Sequence, residues 1–243
     1  MAPLSHAAAM DMQNIHPATA ALLRRSHIEQ RTPAWYEARR KVLTASDVAA
    51  VLGIPAFESY RGNPRTECLT KKVENKPWAG NVFTRHGNKY EDTARDLMCE
   101  ALGEQVLEFG LLIHPTLPYL GASPDGVTLS GKLIEIKCPL RRVIKPGVVP
   151  HHYLPQILVQ LEVCDMEECY FVEYKPATNT EPQVLSIVSV QRDRQWFASV
   201  QEELHSFVEE YYEALRTYVP PPPLPPPTCR IVDGLYDGAA LTY

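Results

Sequence analysis

The chain lacks any Cys-x-x-Cys pair and any cysteine–histidine spacing of the kind that holds structural zinc. Its six cysteines (Cys68, Cys99, Cys138, Cys164, Cys169, Cys229) are scattered. Several sit within apolar runs, where a free thiol behaves as a small hydrophobe, so reduced core cysteines are expected rather than a disulfide framework. No apolar stretch reaches the roughly 20 residues that a membrane-crossing helix needs. The segment up to Ser26 lacks the continuous apolar core and basic start of a secretory signal, and Asp11 with few arginines disfavours an organellar leader, so an intracellular, unsecreted protein is expected. Positive charge is not in excess either: 24 Lys and Arg stand against 29 Asp and Glu, a formal net charge of -5. That balance excludes a protein coated in basic charge, but not one whose basic residues gather at a single site. There is no internal repeat, which excludes solenoids and propellers.

What is present is an ordinary globular composition, 45% hydrophobic and 22% charged over 243 residues, enough for one large domain. The expected organisation is a flexible or short-helical segment over 1–26, a single domain over 27–218, and a Pro-rich tail over 219–243. Ala18 to Arg25 suits a short helix. The run from Val219 to Pro227 holds seven prolines and can only be extended polyproline II; a stiff spacer is favoured over a ligand for an SH3-like or WW-like domain.

Inside the domain, Thr32-Pro33 opens a helix carrying Trp35, Tyr36, Arg39 and Arg40. A short helix starts at Ser46-Asp47, either of which suits a cap, and stops at Gly53. A longer helix is predicted from about Gly87 to Leu102, with Ala94, Leu97, Met98, Ala101 and Leu102 on one buried stripe. Strands are predicted at 106–114, 119–122 and 133–138, a helix at 154–164, strands near 169–174 and 183–190, and a final helix over 194–217. Strands in the middle with helices around them indicate an α/β domain, a central mixed sheet flanked by helices.

The chemistry lies in Gly121-Ala122-Ser123-Pro124-Asp125-Gly126 followed by Leu133-Ile134-Glu135-Ile136-Lys137-Cys138-Pro139. Alternate side chains of a strand share a face, so Glu135 and Lys137 project together while Ile134, Ile136 and Cys138 face the core. A turn at Thr128–Gly131 returns Asp125 beside this strand, bringing two carboxylates to one ammonium. Hard carboxylate oxygens suit Mg²⁺ or Mn²⁺ and phosphodiester hydrolysis, with the lysine positioning water and stabilising developing charge and the Ile136 carbonyl available as a further ligand. Glu91 falls on the apolar stripe of its helix and needs a partner: a metal at the sheet edge, or a salt bridge to Lys137. The plain alternative is a polar hairpin with a surface ion pair.

Several blocks in order resemble the phage lambda exonuclease family, a branch of the restriction-endonuclease-like PD-(D/E)XK nucleases. They are Trp35 to Arg40, Leu43 to Asp47, Gly87 to Ala94, Ala122 to Gly126, Glu135 to Pro139, Tyr153 to Gln156 and Tyr170 to Tyr174. The resemblance implies a restriction-endonuclease-like core and a Mg²⁺-dependent deoxyribonuclease. Such an enzyme degrades double-stranded DNA 5′ to 3′ from its ends, releases mononucleotides and leaves 3′ overhangs for recombination or repair by strand annealing. A structure-specific or nicking endonuclease on the same core is the alternative, and an inactive DNA-binding scaffold a further one. By similarity Glu91, Asp125, Glu135 and the Ile136 carbonyl hold two ions, Lys137 orients water, and Arg39, Ser46, Ser123 and Gln156 form a 5′-phosphate pocket. Ser46 as a mere cap and Gln156 as a mere surface residue are the bland readings. Arg141 and Arg142 stand near, but not at, the family's arginine and are expected to face DNA. His151-His152 are expected to be loop residues. The family further implies a ring-shaped trimer, a viral or phage source with the protein in the cytoplasm or host nucleus, and a single-strand annealing partner.

Overall fold

In a computed structural model, residues 15–57, 59–76 and 80–221 are described. The polyproline reading of the tail therefore falls almost wholly outside the described residues.

The helices form where caps and periodicity place them. Helix α1 (Pro17–Leu23) is followed by α2 (Pro33–Arg40), whose Thr32 hydroxyl accepts the Trp35 amide. Strand β1 (Leu43–Thr44) leads through a 3₁₀ turn (Ala45–Asp47) into α3 (Val48–Val51). Helix α4 (Pro64–Glu74) precedes α5 (Val82–Leu102), which begins five residues before the predicted start because Asn81 caps it through the Thr84 amide. Gly87 lies inside this helix, and Gly103 ends it at φ 67°. Ala94 and Met98 are buried as expected, whereas Ala101 and Leu102, in the last turn of α5, are exposed. The expected capping by Ser46 or Asp47 does not occur, since neither side chain caps α3; both are committed elsewhere.

The strands are β2 (Val106–Leu107), β3 (Leu112–Ile113), β4 (Leu120–Ala122), β5 (Gly126–Thr128), β6 (Leu133–Lys137), β7 (Glu168–Lys175) and β8 (Val184–Gln191). Between β6 and β7 runs α6 (Leu154–Cys164), and the domain closes with α7 (Arg194–Thr217). A five-stranded mixed sheet has the order β2-β5-β6-β7-β8, with β6 antiparallel to β5 and parallel to β7. A small second sheet has the order β1-β4-β3. The single strand expected over 106–114 is divided: its two ends pair in different sheets.

The apolar residues sort onto the two faces of the large sheet. Ile134, Ile136, Cys138, Val172 and Tyr174 pack with Ala94 and Met98 of α5. The opposite side, with Leu133, Cys169 and Phe171, joins the larger core formed by α6, α7 and the small sheet. Helix α1, expected within a loose end, belongs to that core: Thr19 and Leu22 are buried, and Thr19 Oγ1 donates to the Thr128 carbonyl. Arg25 donates to the carbonyls of Val163 and Ile113. Cys68, Cys99, Cys138, Cys164 and Cys169 are free thiols.

Candidate active site

Asp125 is the residue just before β5. Its amide donates to the Ile134 carbonyl (3.2 Å), and its Oδ2 accepts the Ile136 amide (2.7 Å). The hairpin thus fixes the carboxylate against the strand that bears Glu135 and Lys137, with Gly126 opposite Ile134. A side chain at Gly126 would meet Val106 at 2.4 Å, so only glycine suits this close approach.

Glu135 is 1% exposed, a buried charge that needs full pairing. It receives it: Lys137 Nζ and Gln156 Nε2 (2.6 Å) donate to Oε1, and Gln160 Nε2 (2.7 Å) donates to Oε2. Gln156 and Gln160 stand four apart on α6 and so share a face. Gln156 is accordingly not a mere surface residue. Gln160 was missed in the sequence, although its i+4 spacing from Gln156 was a readable signal.

Burial pushes the Asp125 carboxyl well above its ordinary value, reinforced by Glu135 and Glu91 and opposed by Lys137 and the Ile136 amide. Burial works against the Lys137 ammonium, but Glu135 and Asp125 outweigh it and raise the group overall. The lysine is therefore a fixed positive charge, its Nζ 5.1 Å from the centre of the Tyr153 ring.

Glu91, on α5, does not pair with Lys137. Its Oε2 accepts Arg31 Nη2 at 2.9 Å, and Arg95 stands 3.8 Å from Oε1. Among the described residues no three His, Cys, Asp or Glu side chains already converge on one point. Glu91 is turned toward Arg31, and Glu135 toward Lys137 and the two glutamines. The donor chemistry nevertheless fits a hard cation: Asp125 and Glu135 stand beside a single ammonium, and Glu91 is near enough to add to the shift that burial imposes on Asp125.

Arg39 lies over the Trp35 ring at 4.4 Å, and its Nη2 donates to Ser46 Oγ at 3.0 Å. Thr44 Oγ1 donates to Asp47 Oδ2 (2.8 Å). Its one proton is thereby used, so in the 3.0 Å contact with Thr44 it is Ser46 that donates. Trp35 Nε1 in turn donates to Ser123 Oγ (2.9 Å), so the indole links Arg39 to the segment bearing Asp125. Thr44, Asp47 and Trp35 are members of this cluster that the sequence reading did not assign. Burial lowers the Arg39 guanidinium, with Asp47 opposing. Burial also penalises the Asp47 carboxylate, but Lys72 and the Thr44 hydroxyl bring it below its ordinary value.

A cleft of about 740 Å³ is lined by Glu91, Asp125, Ile136, Lys137, Arg141 and Arg142 among others. A second, of about 530 Å³, includes Ser46, Asp47 and Gln156, and the two share Ala56, Phe57, His152 and Tyr153. Arg141 lies over the Phe83 ring (5.4 Å), and Arg142 is tied to the buried Glu173. His152 packs on Tyr153 in the loop before α6; burial, with Arg142 and Lys137, lowers its imidazole, which disfavours the imidazolium form.

The fold is that of an exonuclease. An alkaline exonuclease of Laribacter hongkongensis, LHK-Exo, superposes with a TM-score of 0.63 at 28% identity, covering 76% of this chain and 95% of that one; LHK-Exo has also been solved in complex with dAMP. A model of the YqaJ-like viral recombinase domain matches residues 34–167, and the chain belongs to that family. A phage related exonuclease from Haemophilus somnus 129PT shares the fold alone, with a TM-score of 0.57 at 14% identity, over 72% of this chain and 95% of that one. Uncharacterized protein R354 of Acanthamoeba polyphaga mimivirus is 32% identical over 164 residues, 60% of this chain. Protein D345L of African swine fever virus (isolate Tick/Malawi/Lil 20-1/1983) is 30% identical over 161 residues, 53% of this chain. The matched regions span 29% and 44% of those two viral relatives. No helix among the described residues is long and apolar enough to cross a membrane.

Proposed function

We propose that the protein is a magnesium-dependent 5′-to-3′ exonuclease acting on the ends of double-stranded DNA, releasing mononucleotides and leaving 3′ overhangs. The observation that carries this reading is Gln156. It touches Glu135 of the carboxylate cluster and lines the same cleft as Ser46 of the Arg39 cluster. Arg39 is bonded to Ser46 and Gln156 to Glu135, and Ser46 and Gln156 line one cleft, which suits an enzyme that holds a terminal phosphate while cutting next to it. The LHK-Exo complex with dAMP, a nucleoside monophosphate, supports the same product class.

Glu91, Asp125, Glu135 and the Ile136 carbonyl would hold the ions, two per site, with Mn²⁺ an acceptable substitute. A bound ion supplies an acidified water and offsets phosphate charge. The chain's own residues supply the rest. Lys137, kept protonated, orients the attacking water and faces the developing negative charge. Gln156 and Gln160 hold Glu135 in one orientation. Arg39 and Ser46 offer a guanidinium fork and a hydroxyl to the 5′-phosphate, and Ser123 is aligned by Trp35. Arg141 and Arg142 present positive charge to the backbone. A trimer enclosing the duplex and a single-strand annealing protein that takes over the 3′ overhang belong to the same reading, as does work inside an infected cell.

The test is a linear duplex labelled separately at each 5′ and 3′ end, incubated with Mg²⁺ or with EDTA. Magnesium-dependent release of 5′ label as mononucleotide, with 3′-labelled single strand surviving, is expected. Internal fragments would replace this reading with an endonuclease, and no cleavage in any metal with a DNA-binding scaffold.

A further inference from the structure

Among the described residues three non-glycine positions have left-handed backbone. Asn75 and Asp165 end helices, a role their short polar side chains tolerate. The third, Arg31 at φ 63°, caps nothing and is of a residue type that disfavours this conformation.

Its neighbours hold it there. Ile28 bridges Leu111 through two backbone hydrogen bonds (3.1 and 2.7 Å). Gln30 Nε2 donates to the carbonyls of Phe109 (2.9 Å) and Pro124 (3.0 Å), the latter adjacent to Asp125. Thr32 Oγ1 donates to the Glu29 carbonyl (2.8 Å) while capping α2. Gly110 makes the approach possible, since a Cβ there would stand 1.7 Å from the Ile28 carbonyl oxygen. The segment 28–32 is thus anchored on both sides of one strained arginine.

The strain has a local outcome: the Arg31 guanidinium meets Glu91 Oε2 at 2.9 Å. Glu91 lines both the main cleft and a smaller one that contains Arg31 and Arg95. Arg31 is 54% exposed and Glu91 20%. The arginine, more than half exposed, can leave for solvent without opening the core. An oxygen that accepts a guanidinium N–H is not free to ligate a cation from the same direction, so the two contacts compete.

Resting on the reading of Glu91 as an ion ligand, we propose that Arg31 is a positioning residue which occupies the Glu91 carboxylate until a divalent cation displaces it. Arg31 thereby sets the cation concentration at which the site loads. In the ion-free state it balances the carboxylate and keeps it from turning away along α5. Arg95 stands farther off, on the other oxygen, and remains after Arg31 has left.

Titration calorimetry of Mn²⁺ into metal-free full-length protein, without DNA, tests this in the wild type and in Arg31→Gly, Arg31→Gln, Arg31→Lys and Asp125→Asn. Glycine suits the left-handed backbone, so Arg31→Gly keeps the fold even where glutamine strains it. Removing a partly exposed ion pair should tighten Mn²⁺ binding about two- to five-fold in the Gly and Gln variants, with Lys close to wild type. Affinities for Gly and Gln equal to or weaker than wild type overturn the role of Arg31 and leave the metal site standing. A wild type that takes up no Mn²⁺, or an Asp125→Asn variant that binds as well as wild type, overturns the metal site and this inference with it.

Discussion

Lys137 is held protonated by two carboxylates while burial works against its charge, so its contribution is a fixed positive potential rather than proton exchange near neutral pH. Lys137→Ala should lower the cleavage rate about 10²- to 10³-fold while duplex binding in a gel-shift assay is largely kept. Near-normal degradation by that variant would remove the lysine from the mechanism. Asp125 behaves in the opposite way to a salt-bridged surface carboxylate. Unfolded, it releases its proton near the usual value of about 3.9, whereas in the fold burial, Glu135 and Glu91 hold the proton on. Its contribution to metal-free stability is therefore present below the unfolded value and is lost as pH rises through the folded one. With EDTA present, Asp125→Asn should gain in melting temperature relative to wild type as pH climbs from about 4, while losing activity. A constant difference across pH would show that the proton is not retained. These residues were legible because a strand's twofold alternation places Glu135 and Lys137 together. Arg31 was not legible: nothing local in Glu29-Gln30-Arg31-Thr32 tells of a left-handed backbone or of a partner sixty residues away.

At the scale of elements, α6 and α7 have the expected bounds and α2 the expected start at Thr32-Pro33, whereas α4 went unread although Asn63 caps it and Pro64 opens it. α5 was misjudged at its start because Gly87 reads as a boundary while the effective signal, Asn81, lies upstream. The two-residue strands β1, β2 and β3 carry too little periodicity to show which sheet they join; their pairing is decided by residues such as Leu120 and Thr128, far along the chain. The N-terminal helix illustrates the same limit. Seven residues of modest amphipathicity give no hint of docking, yet Leu22 is 1% exposed in the core. Leu22→Ala should cost about 2–5 kcal/mol of unfolding free energy, measured by denaturant titration. A value below about 0.5 kcal/mol, the range of ordinary surface substitutions, would return α1 to the status of a loose end.

For the molecule as a whole, two clefts with shared walls bring Ser46 and Asp47, the partners of Arg39 and Thr44, into line with the cleft of Asp125 and Lys137. If Arg39 reads a terminal phosphate, Arg39→Ala should abolish the rate advantage of 5′-phosphorylated over 5′-hydroxyl duplex. Equal rates on both ends in the parent protein would remove that role. Cation binding should also register in global stability: Mg²⁺ at a hundred times its dissociation constant adds about 2.7 kcal/mol, visible as a higher melting temperature that EDTA reverses.

The chain between β6 and α6 connects two parallel strands through that helix, and the two ends of the connection differ in freedom. Val143 and Val148 stand in the open, and between the anchors at Ile144 and Val149 residues 145–148 are exposed. Insertions and deletions there can change what lies over the groove without moving either strand. From Pro155 onward, one added or lost residue would rotate α6 by roughly 100°, turning Gln156 and Gln160 away from Glu135 and tearing Ile157 and Leu161 from the core together. Length variation among descendants of this sequence should therefore collect before residue 153 and stop there, so that specificity can drift while the hydrolytic centre stays in place.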